Sequence, residues 1–256
     1  MSHQTLVEQF RVARGDPSLA ELVGFHPLKH AIRFGAELIE VVCSNIEELV
    51  RLGASFAPDI ALDNHVRVVP LDVFAELAPV PPPTGVIAIA HRPTVSLTEV
   101  LNNPAPSPVV LLENPRNLLN IGAAIRVSAA AGAAGLITTG VQDPWHPAAL
   151  IAATGLHYAL PVTRTTTVPI CDRSLVVVDP SGEPFQQIPA NAILAFGAER
   201  EGLSRELMAS ADHCVSIPMS AGISSLNLAT AVAVVLYMWK FGERRAISEP
   251  TTFLQN

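Results

Sequence analysis

The sequence predicts an α/β protein whose C-terminal part is built on a parallel sheet and is preceded by a smaller α/β module. Three observations predict it. From residue 109 onward, continuous runs of Val, Ile and Leu bounded by Gly, Pro, Asn and Asp recur, as expected of strands buried on both faces. Helical patterns fall between these runs, an alternation that builds parallel sheets. Of the 256 residues, 49% are hydrophobic but only 5% aromatic, so the core is one of small and branched aliphatics.

In chain order, residues 1–95 alternate short helical patterns with the β-branched runs LIEVVCS, RVVPL and VIAIA, a small α/β module. Three consecutive prolines in VPPPTG cannot continue a helix or a central strand, so turns lie there. Residues 96–107, which close on NNPAPSP, read as a linker. The main domain spans 108–246, where PVVLLE, AAGLITTG, SLVVVDP, AILAFG and CVSIPM read as strands. IGAAIRVSAAAG reads as an Ala-rich helix with Asn120 as N-cap and Gly132 as its stop. The last helix, Leu226 to Phe241, is apolar on nearly every face and ends at Gly242. Such a helix is buried under the sheet or in a subunit interface. Residues 247–256 form a tail.

Charge and composition narrow the function. Lys and Arg total 16 against 23 Asp and Glu, a net charge of −7, which argues against non-specific adhesion to nucleic acid and leaves room only for a local basic patch. The longest apolar stretch, Leu228–Trp239, has 12 residues, short of the roughly 18 a membrane span needs. The N-terminal MSHQTLVEQFRVARGD carries no apolar signal-peptide core, so a soluble, cytoplasmic protein is expected. Cys43, Cys171 and Cys214 form no CxxC pair and read as free thiols. His26 and His30 sit four apart, but HPLKH lacks the HExxH glutamate, so no metal site is expected; the GxGxxG dinucleotide fingerprint is absent as well.

Three polar clusters sit where strands end, the edge at which open α/β sheets bind ligands. ENPRNLLNIGAAIR sets Asn120 and Arg126 six residues apart across a helix start. FGAEREGLS places Glu199 in a Gly-bounded loop directly after a strand. SIPMSAGISSLNLATAV leads a Gly-containing loop into Ser225 and Asn227 at the start of an apolar helix. Each has a plainer reading alone: Asn120, Ser225 and Asn227 as helix caps, Arg126 as a surface cation, Glu199 as a helix-start acid.

Together and in this order, N-I-G-A-A-I-R, F-G-A-E-R-E-G-L-S and I-P-M followed by S-L-N resemble the three motifs of the SpoU (TrmH-like) RNA 2′-O-ribose methyltransferases of the SPOUT superfamily. The likeness covers residues 108–242. The chain departs from the family pattern at Leu118, Val127, Thr154–Leu156 and Leu228–Ala229. The front module, with GFHPLKHAIRFGAELIEVVCS and TGVIAIAHRP, is similar to the ribosomal-protein-like RNA-binding domain that many members carry.

The resemblance implies a parallel-sheet domain closed by a deep trefoil knot and using S-adenosylmethionine. The cofactor would be held by loops around Thr138, Thr139 and Gly140, around Phe196 and Gly197, and from Ile217 through Met219 and Ser224 to Leu226. Arg126 would activate the ribose hydroxyl, Asn120 and Glu199 would orient Arg126 and the ribose, and Ser225 and Asn227 would fix the last loop against the target nucleotide. RNA, ribosomal in preference to transfer, would be gripped through Lys29, Arg33 and Arg116, and a homodimer would complete the site. Residues 108–256 alone are expected to fold and to bind cofactor. A knotted, non-catalytic RNA-binding or assembly protein is the alternative.

Overall fold

The computed structural model describes residues 3–62, 66–168, 171–185 and 188–248, with side chains described up to position 242. The chain forms two compact units, one of residues 1–94 with 145–159 and one of residues 95–144 with 160–256.

The first unit runs α1 (His3–Gly15), β1 (Leu19–Val23), α2 (Phe25–Arg33), β2 (Leu38–Cys43), α3 (Ile46–Phe56), β3 (Val66–Val68), α4 (Leu71–Leu77) and β4 (Val86–His91). The sheet order is β1-β4-β2-β3. Here β4 is antiparallel to both neighbours, while β2 and β3 run parallel. Phe10 of α1, Phe74 and Leu77 of α4, and Ile87 and Ile89 of β4 close one core. Each of these fully buried side chains contributes roughly 1.5–3 kcal/mol. Asn45 caps α3 by accepting from the Glu48 N–H at 3.0 Å.

Residues 145–159 pack on this unit rather than on the domain whose sequence they interrupt. They hold α7 (Pro147–Ala152), against β1, and a 3-10 turn (Leu156–Tyr158), against α2. Trp145, Ala149, Leu150 and His157 are buried. His30 Nδ1 lies 2.6 Å from the Thr154 carbonyl, and Tyr158 Oη donates to the His91 carbonyl at 3.1 Å. Gly155 has φ +76°, and a side chain there would meet the Pro27 backbone at 2.7 Å, so only glycine fits.

The second unit opens where a linker was expected. Residues 97–101 form α5 (Leu97–Leu101), started by a Ser96/Glu99 capping box, and Val100 and Leu101 enter the core. The prolines and asparagines after it are pinned by Arg173, whose buried guanidinium donates to the carbonyls of Leu101, Asn103, Ser107 and Asn191. There follow β5 (Val109–Leu112), α6 (Leu118–Ala131), β6 (Gly135–Thr138), β7 (Val162–Arg164), β8 (Leu175–Pro184), β9 (Ile193–Phe196), α8 (Arg205–Ser210), β10 (His213–Ser216) and α9 (Leu228–Ser248). All six strands are parallel, in the order β10-β8-β9-β5-β6-β7.

Two helix ends differ from the sequence reading. Asn117, not Asn120, caps α6, accepting from Leu119 and Asn120 N–H, so the helix starts earlier. Gly132, at φ +83°, does stop it. The last helix passes through Gly242 to Ser248, because the residues after Gly242 are good enough helix formers to absorb the roughly 1 kcal/mol a helical glycine costs. Lys240 of α9 donates to the Ala130 and Ala131 carbonyls, satisfying the free end of α6. The expected tail lies outside the described residues except for Ile247 and Ser248. Among the described residues no helix is long and apolar enough to cross a membrane.

Candidate active site

The strand order reverses beside β5. From β5 the chain moves outward to β6 and β7, then crosses to lay β8 and β10 on the other side, with β9 inserted next to β5. Parallel sheets bind ligands outside the carboxyl ends of their strands at such a reversal. A cleft of about 360 Å³ opens there, past the ends of β8 and β9.

Asn117 takes over the capping of α6, and this frees the Asn120 side chain one turn in. Its Nδ2 donates to Glu199 Oε1 at 2.8 Å, and its Oδ1 accepts from Asn227 Nδ2 at 3.0 Å. Asn227 Oδ1 in turn accepts from the Ala229 and Thr230 N–H groups and caps α9. The direction of this chain is fixed from one end. Backbone N–H groups can only donate, so Asn227 must present its oxygen to the helix and its amide nitrogen to Asn120. Asn120 must then donate onward, and a carboxylate is the fitting terminus. The three sequence clusters thus meet through Asn227, Asn120 and Glu199.

Burial pushes the Glu199 carboxyl up, but donation by Asn120 and by the backbone N–H groups of Glu199, Arg116 and Asn117 outweighs it. The carboxyl lies below its ordinary value and is ionised at neutral pH. Its loop is tight. Ala198 and Gly202 form an antiparallel bridge, and a Cβ on Gly197 would stand 2.1 Å from the Gly202 carbonyl carbon.

Of the residues predicted to hold a cofactor, Phe196, Gly197, Ile217, Met219, Ser224 and Leu226 line the cleft, with Glu199 and Ser225. Thr138, Thr139 and Gly140 do not, because β5 separates their strand from β9. Thr139 and Gly140 support the first cluster instead: Thr139 Oγ1 accepts from the Asn114 N–H at 2.9 Å, and Gly140, at φ +82°, packs against Asn114. Arg126 is exposed and bonds to nothing among the described residues. Six residues beyond Asn120, it points about 120° away around the helix, on the side of exposed Leu119.

Of the predicted RNA contacts, Lys29 and Arg33 belong to the first unit and Arg116 to the second. Arg33 is engaged by Asp59 at 2.7 Å, and Arg116 lies 3.5 Å from Glu201. Lys29 is half-buried, and desolvation first, then Arg33, pushes its ammonium down.

Sequence reasoning missed one wall of the cleft. Between Cys214 and Val215 the register of β10 on β8 jumps from Val177 to Glu183, so residues 178–182 of β8 have no partner on β10, and Val178, Asp179 and Pro180 line the cleft. The signal was D-P-S-G directly after the apolar run LVVV, a turn sequence inside β8 in which Asp179 accepts from Ser181. Among the described residues no group of acidic, His or Cys side chains could hold a metal.

A parallel sheet with a cleft and a polar chain at its carboxyl edge defines a ligand-binding α/β domain. Residues 107–237 match the profile of the SpoU rRNA Methylase family, and the chain belongs to that family. It is 29% identical over 194 residues, 68% of its length, to an uncharacterized tRNA/rRNA methyltransferase of Synechocystis sp.. It is 31% identical over 60% of its length to the 23S rRNA (uridine(2479)-2′-O)-methyltransferase of Streptomyces viridochromogenes. These matches span 66% and 59% of the two relatives' own lengths. The 23S rRNA (adenosine(1067)-2′-O)-methyltransferase of Streptomyces laurentii is 26% identical across 96% of this chain and 94% of its own. The fold is shared with the SpoU methyltransferase AviRb from Streptomyces viridochromogenes, solved in complex with AdoMet. The TM-score is 0.73 at 23% identity, over 95% of this chain and 98% of that one.

Proposed function

We propose that this chain transfers a methyl group from S-adenosylmethionine to a ribose 2′-hydroxyl of RNA, with ribosomal RNA favoured over transfer RNA. The observation that carries the reading is the Asn227–Asn120–Glu199 chain at the lip of the cleft, which joins all three family motifs. Relatives named as 23S rRNA 2′-O-methyltransferases support it.

The cleft suits the cofactor: its volume falls in the range of small-molecule sites, and Phe196, Ile217, Leu226 and Leu228 give it apolar walls between loop backbones. Thr139 and Gly140 are assigned to supporting the first motif rather than to contact. The motif loops are tied in a trefoil knot, as the resemblance implies. When bound, the cofactor supplies an electrophilic sulfonium methyl group.

The protein's part is to bring a poor nucleophile into line and stabilise its developing charge. Arginine stays protonated, so Arg126 acts as a cation beside the target's phosphate and lowers the hydroxyl pKa, while a phosphate oxygen or water takes the proton. Asn120 and Glu199 orient the reacting groups, and Ser225 and Asn227 hold the last loop. Because Arg126 lies off the cluster, a second copy of the chain supplies it. The exposed apolar side chains Leu119 on α6 and Tyr237 and Phe241 on α9 form the homodimer face. Lys29 contacts RNA, as do Arg33 and Arg116 once Asp59 and Glu201 yield to phosphate, and the enzyme works in the cytoplasm.

Calorimetry should show binding of S-adenosylhomocysteine and none of NAD, and sedimentation should give twice the chain mass. Digestion of the methylated RNA to nucleosides should place the methyl on ribose. A methyl on a base alone would overturn the chemistry, and absence of heat from a folded protein would overturn the assignment.

A further inference from the structure

We infer that Glu113 is a positioning residue for this site: by holding both feet of the loop 197–203, it sets where Glu199 meets Asn120. The inference rests on the proposed methyl transfer for its functional reading, and on geometry alone for the clamp.

The loop leaves β9 at Phe196 and enters α8 at Ser204. Glu113, the first residue past β5, touches both points. Its backbone N–H donates to the Phe196 carbonyl at 2.8 Å, continuing the β5–β9 ladder one residue beyond the sheet. Its carboxylate then accepts from the Ser204 N–H at 2.7 Å and from Ser204 Oγ at 2.6 Å. The Ser204 hydroxyl accepts from the Leu207 N–H at 3.2 Å, so the same group also caps α8. Charge-assisted bonds of this length are about twice as strong as neutral ones.

What is clamped has little freedom of its own. The contact between Gly197 and Gly202 and the Ala198–Gly202 bridge make the loop a closed hairpin, so fixing its feet fixes its tip. The tip carries Glu199 and forms part of the cleft wall. From Glu113 the chain continues through Asn117 into α6, which carries Asn120. One residue therefore joins the segment that presents the donor to the loop that presents the acceptor. Glu113 itself does not line the cleft, which separates its role from that of a residue touching cofactor or RNA.

The test is Glu113→Gln in the full chain, with Ser204→Ala as a second variant in case the first fails to fold. Hydrogen exchange should show faster exchange in 197–204 and little change in the β5–β6 ladder. The affinity for S-adenosylhomocysteine should fall by about tenfold, the worth of one charge-assisted hydrogen bond. Asn120→Ala should lower turnover in the wild-type background but add little in the Glu113→Gln background, because the Asn120–Glu199 bond is already misplaced. A fall in Tm with unchanged affinity and multiplicative turnover losses would make Glu113 merely structural and overturn the inference. If the wild-type chain binds no cofactor, it is the methyltransferase reading that fails. The exchange arm then still decides on the clamp: unchanged protection of 197–204 refutes it.

Discussion

Arg126 stands on an exposed face of α6 with no partner among the described residues, while Asn120, Glu199 and Asn227 bond to one another and Glu199 and Ser225 line the cleft. Arg126→Ala should therefore lower methyl transfer by roughly 10²-fold, as loss of an oxyanion-type donor does. Cofactor affinity should stay within about threefold, below 1 kcal/mol. Arg126→Lys keeps charge but loses the fork and should rescue poorly. Equal losses of binding and turnover would make Arg126 structural. Glu199 behaves in the opposite sense. Its folded pKa is depressed, so the stability it lends is fully present above the ordinary value of 4.5 and is lost as pH falls through the lower folded value. Cofactor binding should be insensitive to this group at neutral pH and should fail only as the pH falls through the depressed folded value; in Glu199→Gln that acid limb should vanish. Asn120, Glu199 and Asn227 were singled out only through the resemblance of the three clusters to the family motifs, because each alone reads as a helix cap or a helix-start acid. Glu113 was not. Its partner Ser204 lies 91 positions away, and only the insertion of β9 beside β5 brings them together.

Among the elements, the buried strands of the parallel sheet were legible as unbroken apolar runs, and those that escaped have identifiable physical reasons. The three residues of β7 give no periodicity to read. β1 carries Glu21 in its centre, which reads as polar, yet Arg14 binds its carboxylate at 2.9 and 2.6 Å and lets it enter the sheet. Residues 96–107 looked like a linker because of their prolines and asparagines. No pattern announces that Arg173, 66 to 72 positions away from the carbonyls of Leu101, Asn103 and Ser107, holds them. Arg173→Met would keep the volume but leave four carbonyls without this donor. The expected loss is about 3 kcal/mol, a fall of roughly 6–12 °C in Tm for a chain of this size. A melting curve indistinguishable from wild type would show that water replaces the guanidinium without cost.

At the scale of the whole molecule, the division into two units does not follow the order of the chain. The first unit includes residues 145–159, which bring Trp145, Leu150 and His157 into its interior. Residues 1–94 alone should show no cooperative thermal transition, and joining 145–159 to them through a flexible linker should restore one. A native-like melt of 1–94 by circular dichroism would refute this. The same feature revises the expectation for 108–256: that fragment would expose the apolar side chains of 145–159 and should aggregate unless they are replaced by polar residues. It also imposes a timetable on the newborn protein. A ribosome delivers residue 94 long before residue 159, so the front of the chain waits, unfinished and in need of protection, until β5, α6 and β6 have been synthesised and the missing piece arrives behind them. Slowing translation across residues 95–159 with synonymous codons should therefore lower the yield of folded protein without changing a single amino acid.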